Sequence, residues 1–167
     1  MQRPDLKEAR LRPGYVLKAE DVVELPMTDE DRRDMARGVE LFNRGAFWES
    51  HEAWEQIWLR HAEPSRVFIQ ALIQLAAAYH QLHRGIHHGV VKHLNNVALK
   101  LGPFSGRFLG VDVDGVKEAV DRGQAEIDRV GAAEIEKFDR ALVCKIAFDP
   151  GPGLLDGSRP RERDGAG

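Results

Sequence analysis

Four segments with helical hydrophobic periodicity follow one another between residues 28 and 101, and only short breaks separate them. Glycine and proline, the residues that most often end helices, stand at the breaks: Gly45, Pro64, Gly85 and Gly102-Pro103. Helices joined by short loops pack as antiparallel neighbours. The pattern therefore predicts an all-α fold, a single-domain antiparallel bundle.

Capping residues predict where each helix begins. Thr28 and Asp31 form a capping box that starts the first helix, which we expect to end at Asn43. The others are expected from Phe47 to about His61, from a Ser65 cap to Arg84, from about His88 to Leu101, and from an Asp114 cap to Val130. This gives about five helices, and the segment from Ala141 to Phe148 fits either a short strand or a final helical turn.

The chain has 167 residues, of which 43% are apolar and 31% charged, so its length suits one domain with a packed core. We expect an extended N-terminal arm over residues 1–27, the helical bundle over 28–149 and a disordered tail over 150–167. Cys144 is the one cysteine, which excludes a disulfide framework, and its apolar neighbours predict a core position. Because no apolar run of about 18 residues and no apolar leader are visible, we expect a cytoplasmic protein without a membrane partner.

The second predicted helix carries an imidazole and a carboxylate on its apolar face. At about 100° per residue, His51 and Glu55 share that face with Trp48, Trp54 and Trp58. Aromatic side chains dominate core burial, so we expect the face to point inward. A buried carboxylate without a partner costs several kcal/mol. Three solutions are open: a hydrogen-bonded His51–Glu55 pair, a protonated Glu55, or a cation that both side chains ligate.

The third predicted helix offers a residue that would complete a cation site. In an antiparallel hairpin its residues 70–80 lie level with His51, which brings His80 or Gln74 within reach. We therefore expect a metal site of His51, Glu55 and His80. Around it we expect Trp54 and Trp58 as a dry wall, Glu52 as an outer base and Gln74 as a further neighbour. Imidazole and carboxylate ligands suit zinc, manganese, iron or nickel, and would equip a metal-dependent enzyme.

The sequence around this pair resembles a known family. The matching stretches are Phe42-Asn-Arg-Gly45, Phe47-Trp-Glu-Ser-His51-Glu-Ala-Trp-Glu55-Gln-Ile-Trp58, Ile69-Gln-Ala-Leu-Ile-Gln74, Arg84-Gly85 and Gly89. They are similar to the "domain of unknown function 309" family of bacteria and archaea, over about residues 35–102. The resemblance implies a small helical bundle and a His-x-x-x-Glu-x-x-(Trp or Tyr) motif, suggested to bind metal and here formed by His51, Glu55 and Trp58. It implies no established activity, and Ala71 and Ile86 stand where the family usually has Gly and Asn.

A basic turn suggests a second function. No acidic residue lies between Glu63 and Asp112, whereas basic side chains cluster where the fourth predicted helix begins: Arg84, His87, His88, Lys92 and His93. A helix N-terminus with such neighbours can hold phosphate or nucleic acid. The net charge of −3 and the absence of a known motif make nucleic acid the less favoured partner.

A third interpretation is structural. Four apolar residues share one face of the fourth predicted helix and can form a homo-oligomer interface: Val90, Leu94, Val97 and Leu101. In that case His51 and Glu55 are only a buried pair that holds the second helix in place.

Overall fold

Five α-helices dominate the part of the chain that the structure, a computed structural model, describes, residues 17–151. They are α1 (Asp29–Asn43), α2 (Phe47–Arg60), α3 (Val67–His83), α4 (His87–Leu101) and α5 (Val113–Val130). A small antiparallel hairpin joins α4 to α5, with strands β1 (Arg107–Phe108) and β2 (Val111–Asp112). Short 3₁₀ turns occupy Ala19–Asp21, Pro64–Arg66, Ile135–Lys137 and Arg140–Leu142. The predicted all-α bundle is confirmed. The predicted tail beyond residue 151 and the first 16 residues of the predicted arm lie outside the described residues.

The first helix begins as its sequence predicts. The Thr28 hydroxyl accepts a hydrogen bond from the backbone N–H of Asp31 at 3.1 Å, and the Asp31 carboxylate accepts one from the backbone N–H of Thr28 at 3.0 Å. These two bonds satisfy donors that a helix N-terminus otherwise leaves unpaired. The capping box is therefore formed as expected.

Two other predicted caps are wrong. The Ser65 hydroxyl accepts from the backbone N–H of Val23 in the N-terminal segment at 3.0 Å, and α3 starts at Val67 without a side-chain cap. Asp112, and not Asp114, caps α5 by accepting from the N–H of Gly115 at 3.2 Å. In both cases the hydroxyl or carboxylate has a competing backbone partner that only the folded chain supplies.

The central element is α3, in which ten of seventeen residues are buried. Helices α2 and α4 both pack along α3 but contact each other far less, α1 packs on α2, and α5 packs on α4. A strip of α3 between α2 and α4 is consequently only partly covered, and it includes Gln74, Ala77 and Gln81. We call this strip and its two flanking helices the α2–α4 groove.

The hairpin and the C-terminal segment add aromatic and aliphatic side chains to the core of the bundle. Phe68, Phe104 and Phe108 pack with ring centroids 4.8–5.2 Å apart. After the 3₁₀ turn at Arg140–Leu142 the chain becomes extended, and Phe148 forms a bridge with Val111. The segment from Ala141 to Phe148 thus combines both conformations that its sequence permits. Cys144 is buried, and burial raises the pKa of its thiol to about 12.

The apolar face of α4 is used inside the chain. Its four predicted interface residues are each at most 1% exposed: Val90, Leu94, Val97 and Leu101. They pack into the intramolecular core, so this face is not available for the homo-oligomer interface considered above. Within residues 17–151, no helix combines the length and apolar character that crossing a bilayer requires.

Candidate functional site

His51 and Glu55 lie one turn apart on α2, at the edge of the bundle and not in its interior. Their side chains keep 22% and 32% of their surface exposed. Nδ1 of His51 is 3.9 Å from Oε2 of Glu55, which is an ion-pair distance but too long for a hydrogen bond. The hydrogen-bonded, fully buried pair that the sequence leaves open is therefore not formed.

The three tryptophans do not share one environment. Trp54 is completely buried on the α1 side, where its ring packs on Phe42 and its indole N–H donates to the carbonyl of Met35 at 3.4 Å. Trp48 is half-exposed and stacks on the His51 ring, with centroids 5.1 Å apart and planes inclined by 8°. The aromatic neighbour of His51 is therefore Trp48. The expected common inward face is corrected, because α1 and α3 cover different parts of the apolar arc of α2.

The tryptophan of the motif, Trp58, is buried beneath a cation. The guanidinium carbon of Arg66 lies 3.8 Å from the Trp58 ring centroid. Arg66 is itself 7% exposed and donates to the carbonyls of Trp58 and His61 at 3.3 and 3.0 Å, so it satisfies acceptors at the C-terminal end of α2. Trp58 thus packs at the C-terminal end of α2, beneath the guanidinium of Arg66.

His80 is close to the predicted site without completing it. Its ring centroid is 5.4 Å from that of Trp48, which also stacks on His51. Among residues 17–151, no three His, Cys, Asp or Glu side chains come together in an arrangement that could hold a metal ion. Glu52 is exposed on the outer side of α2.

Polar atoms that are buried without a hydrogen-bond partner concentrate at the α2–α4 groove. They are His51 Nδ1, Gln74 Oε1, Gln81 Oε1 and His93 Nδ1. Native structures leave few buried polar atoms unsatisfied, and a cluster of them indicates a place for water, an ion or another ligand. Gln74, which we expected near the site, is therefore one of its floor residues.

The helix register places His51 and His93 at the same level of the groove. Trp48 lies against His80, so in the antiparallel hairpin His51, three residues later, is level with Ala77. Gly89 lies against Gln81, because an added Cβ at Gly89 would come 3.0 Å from the Gln81 side chain. His93, one turn after Gly89, is consequently level with Ala77 too. His51 and His93 are therefore at the same level of α3, where the floor residue Ala77 has only a methyl group.

The electrostatics of His93 favour a neutral ring. Burial lowers its pKa, and the positive charges of Lys92, His51 and Lys100 lower it further. A neutral imidazole keeps one nitrogen lone pair available to accept a proton or a metal. The sequence assigned His93 to the basic turn, and the signal that could have found its true place is its spacing of one turn from Gly89, the residue that lets α4 approach α3 closely.

The basic side chains of the turn before α4 do not come together at one place. Arg84, His88 and Lys92 are exposed, whereas Nε2 of His87 lies 3.0 Å from the carbonyl oxygen of Ile127 near the end of α5. As a donor, this nitrogen of His87 satisfies one of the carbonyl groups that the C-terminal end of α5 leaves without a partner inside the helix. Phosphate or nucleic-acid binding at this turn stays a prediction.

A second polar cluster, which the sequence analysis missed, joins the start of α1 to the end of α2. Oδ2 of Asp31 lies 2.6 Å from Nε2 of His61, and Oε2 of Glu63 lies 3.2 Å from Nδ1 of the same ring. Arg60 donates to Oδ1 of Asp31 at 2.7 Å. Burial by itself raises the pKa of Asp31, but the bonds from Thr28, His61 and Arg60 outweigh it and hold that pKa below its ordinary value. An Asp–His pair can support catalysis only when the second ring nitrogen is free, and here Glu63 occupies it.

A cleft of about 500 Å³ lies elsewhere, beside the hairpin and the end of the described chain. Three of its polar side chains already have partners: Glu24 accepts from the N–H of Leu109, Arg107 donates to the carbonyl of Gly110, and Asp149 accepts from the N–H of Gly151. None of the predicted site residues lines it. We therefore place the candidate site in the α2–α4 groove, where the buried acceptors lack partners.

A comparison with known proteins gives a match over the residues that form most of the groove. No curated protein matches the sequence. The sequence model of a family described as a domain of unknown function (DUF309) matches residues 35–93, from the middle of α1 to His93 on α4. This stretch contains α2, the groove floor on α3 and the first half of α4. Over residues 35–93, the chain is thus similar to the DUF309 family.

Proposed function

We propose that the protein binds a divalent transition-metal ion, zinc, manganese, iron or nickel, through His51 and Glu55. The observation that carries the proposal is the buried Nδ1 of His51, which has no hydrogen-bond partner and lies 3.9 Å from Oε2 of Glu55. Two ligand atoms about 2.1 Å from one tetrahedral ion are about 3.4 Å apart. Small side-chain adjustments would therefore bring both atoms to one ion.

The residues around the pair suit this role. Stacking on Trp48 holds the His51 ring in a defined plane, and ordered ligand rings bind metals more tightly than mobile ones. The partly exposed position of the pair leaves room for a substrate or water beside the ion. A metal bound there would supply Lewis-acid chemistry.

Metal content and metal affinity test the proposal. The full chain is purified without an affinity tag, its metals are measured by mass spectrometry, and Zn²⁺, Mn²⁺, Fe²⁺ and Ni²⁺ are titrated into the metal-free protein by calorimetry. We expect one ion per chain, binding lost in His51→Ala and weakened in Glu55→Gln. His88→Ala, which removes an exposed histidine of α4, should bind as the unaltered protein does. Failure of all four ions to bind, or equal binding by His51→Ala, would overturn the proposal.

A further inference from the structure

The cleft of about 500 Å³ beside the β1–β2 hairpin takes no part in the proposed function. Its volume is within the range of small-molecule sites, about 300–1,000 Å³. Its walls come from the segment before α1, the first turns of α1, the hairpin and the C-terminal segment. Since His51 and Glu55 do not line this hairpin cleft, whatever it binds is separate from metal binding.

One part of the lining of the hairpin cleft is apolar. Leu25 and Met35 are core residues, 4% and 1% exposed, and Met27, Leu109 and Phe148 pack partly buried against the same core. Leu109 adopts a left-handed φ of 47°, a conformation that glycine takes at less cost. Strained residues of this kind concentrate at ligand sites. The apolar lining offers a ligand a surface on which its own apolar atoms leave water.

Four charged side chains also line the cleft, two of each sign: Arg32, Arg107, Glu24 and Asp149. None of the four forms an ion pair with another residue of the described range 17–151. A plain anion in the cleft would face two carboxylates, and a plain cation would face two guanidinium groups. Charges of both signs around an apolar surface complement a ligand that has one charge of each sign and an apolar part.

The hairpin turn positions three of these four charged residues. Arg107 donates to the carbonyl of Gly110 at 3.1 Å, and the backbone N–H of Asp149 donates to the same carbonyl at 2.8 Å. Glu24 accepts from the N–H of Leu109 in the same turn at 3.3 Å. An ionised carboxylate has about four lone-pair sites, so Glu24 and Asp149 can each accept further donors. The charged groups are thus placed around the cleft before a ligand arrives.

We propose that the hairpin cleft binds a small zwitterion with an apolar body, of the kind that a short apolar peptide with free ends provides. Its carboxylate pairs with Arg32 and Arg107, because a guanidinium can donate two parallel hydrogen bonds to a carboxylate. Its ammonium group donates to Glu24 and Asp149, and its side chains cover the apolar lining. The volume of the cleft suits a dipeptide better than a free amino acid.

Calorimetric titration of the full-length protein tests which charges the ligand needs. The probes are L-leucyl-L-leucine, its N-acetyl derivative, its C-terminal amide and free L-leucine. We expect the dipeptide to bind most tightly and L-leucine more weakly. Blocking either end should weaken binding about 10-fold or more, because each block removes a hydrogen bond between charged groups.

Variants test where the dipeptide binds. Arg32→Gln should weaken binding about 10-fold or more. The matched control is Arg33→Gln, which changes an exposed arginine that stands one residue later in α1 and outside the cleft. We expect Arg33→Gln and His51→Ala to bind the dipeptide as the unaltered protein does. Far-UV circular dichroism confirms that each variant is folded.

Three results would overturn the inference: neither the dipeptide nor L-leucine binds, the blocked dipeptides bind as tightly as the free one, or Arg32→Gln and Arg33→Gln have equal affinities. Tighter binding of L-leucine than of the dipeptide would identify a free amino acid as the zwitterion. Because His51 does not line the cleft, loss of metal binding in His51→Ala and loss of dipeptide binding in Arg32→Gln are separate outcomes. Failure of one proposal leaves the other standing.

Discussion

A single buried carboxylate, that of Asp31, connects two helix ends. It caps α1 at Thr28, lies 2.6 Å from His61 and accepts from Arg60. The side chain is 1% exposed, so water cannot replace these partners when one is lost. Because the second nitrogen of His61 faces Glu63, the cluster contributes stability rather than catalysis.

Removing this carboxylate should be costly. We expect Asp31→Ala to lower the free energy of unfolding by about 3 kcal/mol, because it leaves His61 and Arg60 without their buried partner. Asp34 pairs with Arg60 at 2.6 Å but is a quarter exposed, and Asp34→Ala should cost less than about 1 kcal/mol. Urea denaturation measures both, and equal losses would contradict the role given to Asp31.

The same residue should shape acid stability. Its pKa lies below the value of about 3.9 that an aspartate has in an unfolded chain, so the unfolded state binds its proton first. The stabilisation is complete above that value and is lost as the pH falls through the lower pKa of the folded state. We expect the free energy of unfolding of Asp31→Asn to fall less than that of the unaltered protein between pH 6 and about pH 3. Parallel pH profiles of the two proteins would exclude this assignment.

At the scale of the elements, the contact of α1 with α2 depends on one glycine. A Cβ added at Gly38 would come 2.2 Å from the indole nitrogen of Trp54. The carbonyl of the same glycine accepts from the hydroxyl of Ser50 at 2.9 Å. The two helices are therefore in backbone contact at this point, and Trp54 fills the space that a side chain would need.

Alanine is the better helix former by about 1 kcal/mol. Gly38→Ala should nevertheless lower the free energy of unfolding by about 1–3 kcal/mol, because the new methyl group overpacks the contact with Trp54. The matched control is Gly123→Ala in α5, where the new Cβ would meet only the flexible end of Leu94 at 3.3 Å. For Gly123→Ala we expect the free energy of unfolding to stay nearly the same or to rise slightly. Thermal unfolding followed by circular dichroism compares them, and a stabilised Gly38→Ala would show that α1 and α2 are not this close.

The hairpin between α4 and α5 shows what local patterning misses. Leu109 and Gly110 form its turn with positive φ values of 47° and 82°. Glycine adopts such a conformation readily, whereas leucine rarely does. The pairing of two-residue strands at Arg107–Phe108 and Val111–Asp112 is too short to leave an alternating pattern. Contacts with Phe148 and Asp149, far along the chain, hold it in place.

At the scale of the whole molecule, one continuous core includes residues from Leu17 to Ile146. Such a core should unfold in one step. All three tryptophans lie on α2, so their fluorescence reports one helix, whereas far-UV circular dichroism reports all five. We expect the two signals to give the same urea midpoint and the same dependence of the unfolding free energy on urea concentration. Separate midpoints would show that α2 and its neighbours unfold independently of the rest.

Much of this fold follows from local sequence. The periodicity of α1 to α4 and the glycines and prolines between them predict the helices nearly to the residue, because these signals act within one turn of the chain. The caps at Ser65 and Asp114 fail because Val23 and Gly106 compete for their oxygens. A side chain that has two candidate partners cannot be assigned from its neighbours in sequence alone.

The candidate site, like the fold, was predictable from local sequence only in part. Local sequence was enough to predict that His51 and Glu55 stand one turn apart, since helical spacing fixes the angle between them. The packing of the helices was needed to place Trp48 on His51, to turn Trp54 toward α1 and to bury Nδ1 of His93 without a partner. The helical period sets the direction of each side chain from its own axis. Which helix lies in that direction, and at what level, depends on packing between residues that are dozens of positions apart.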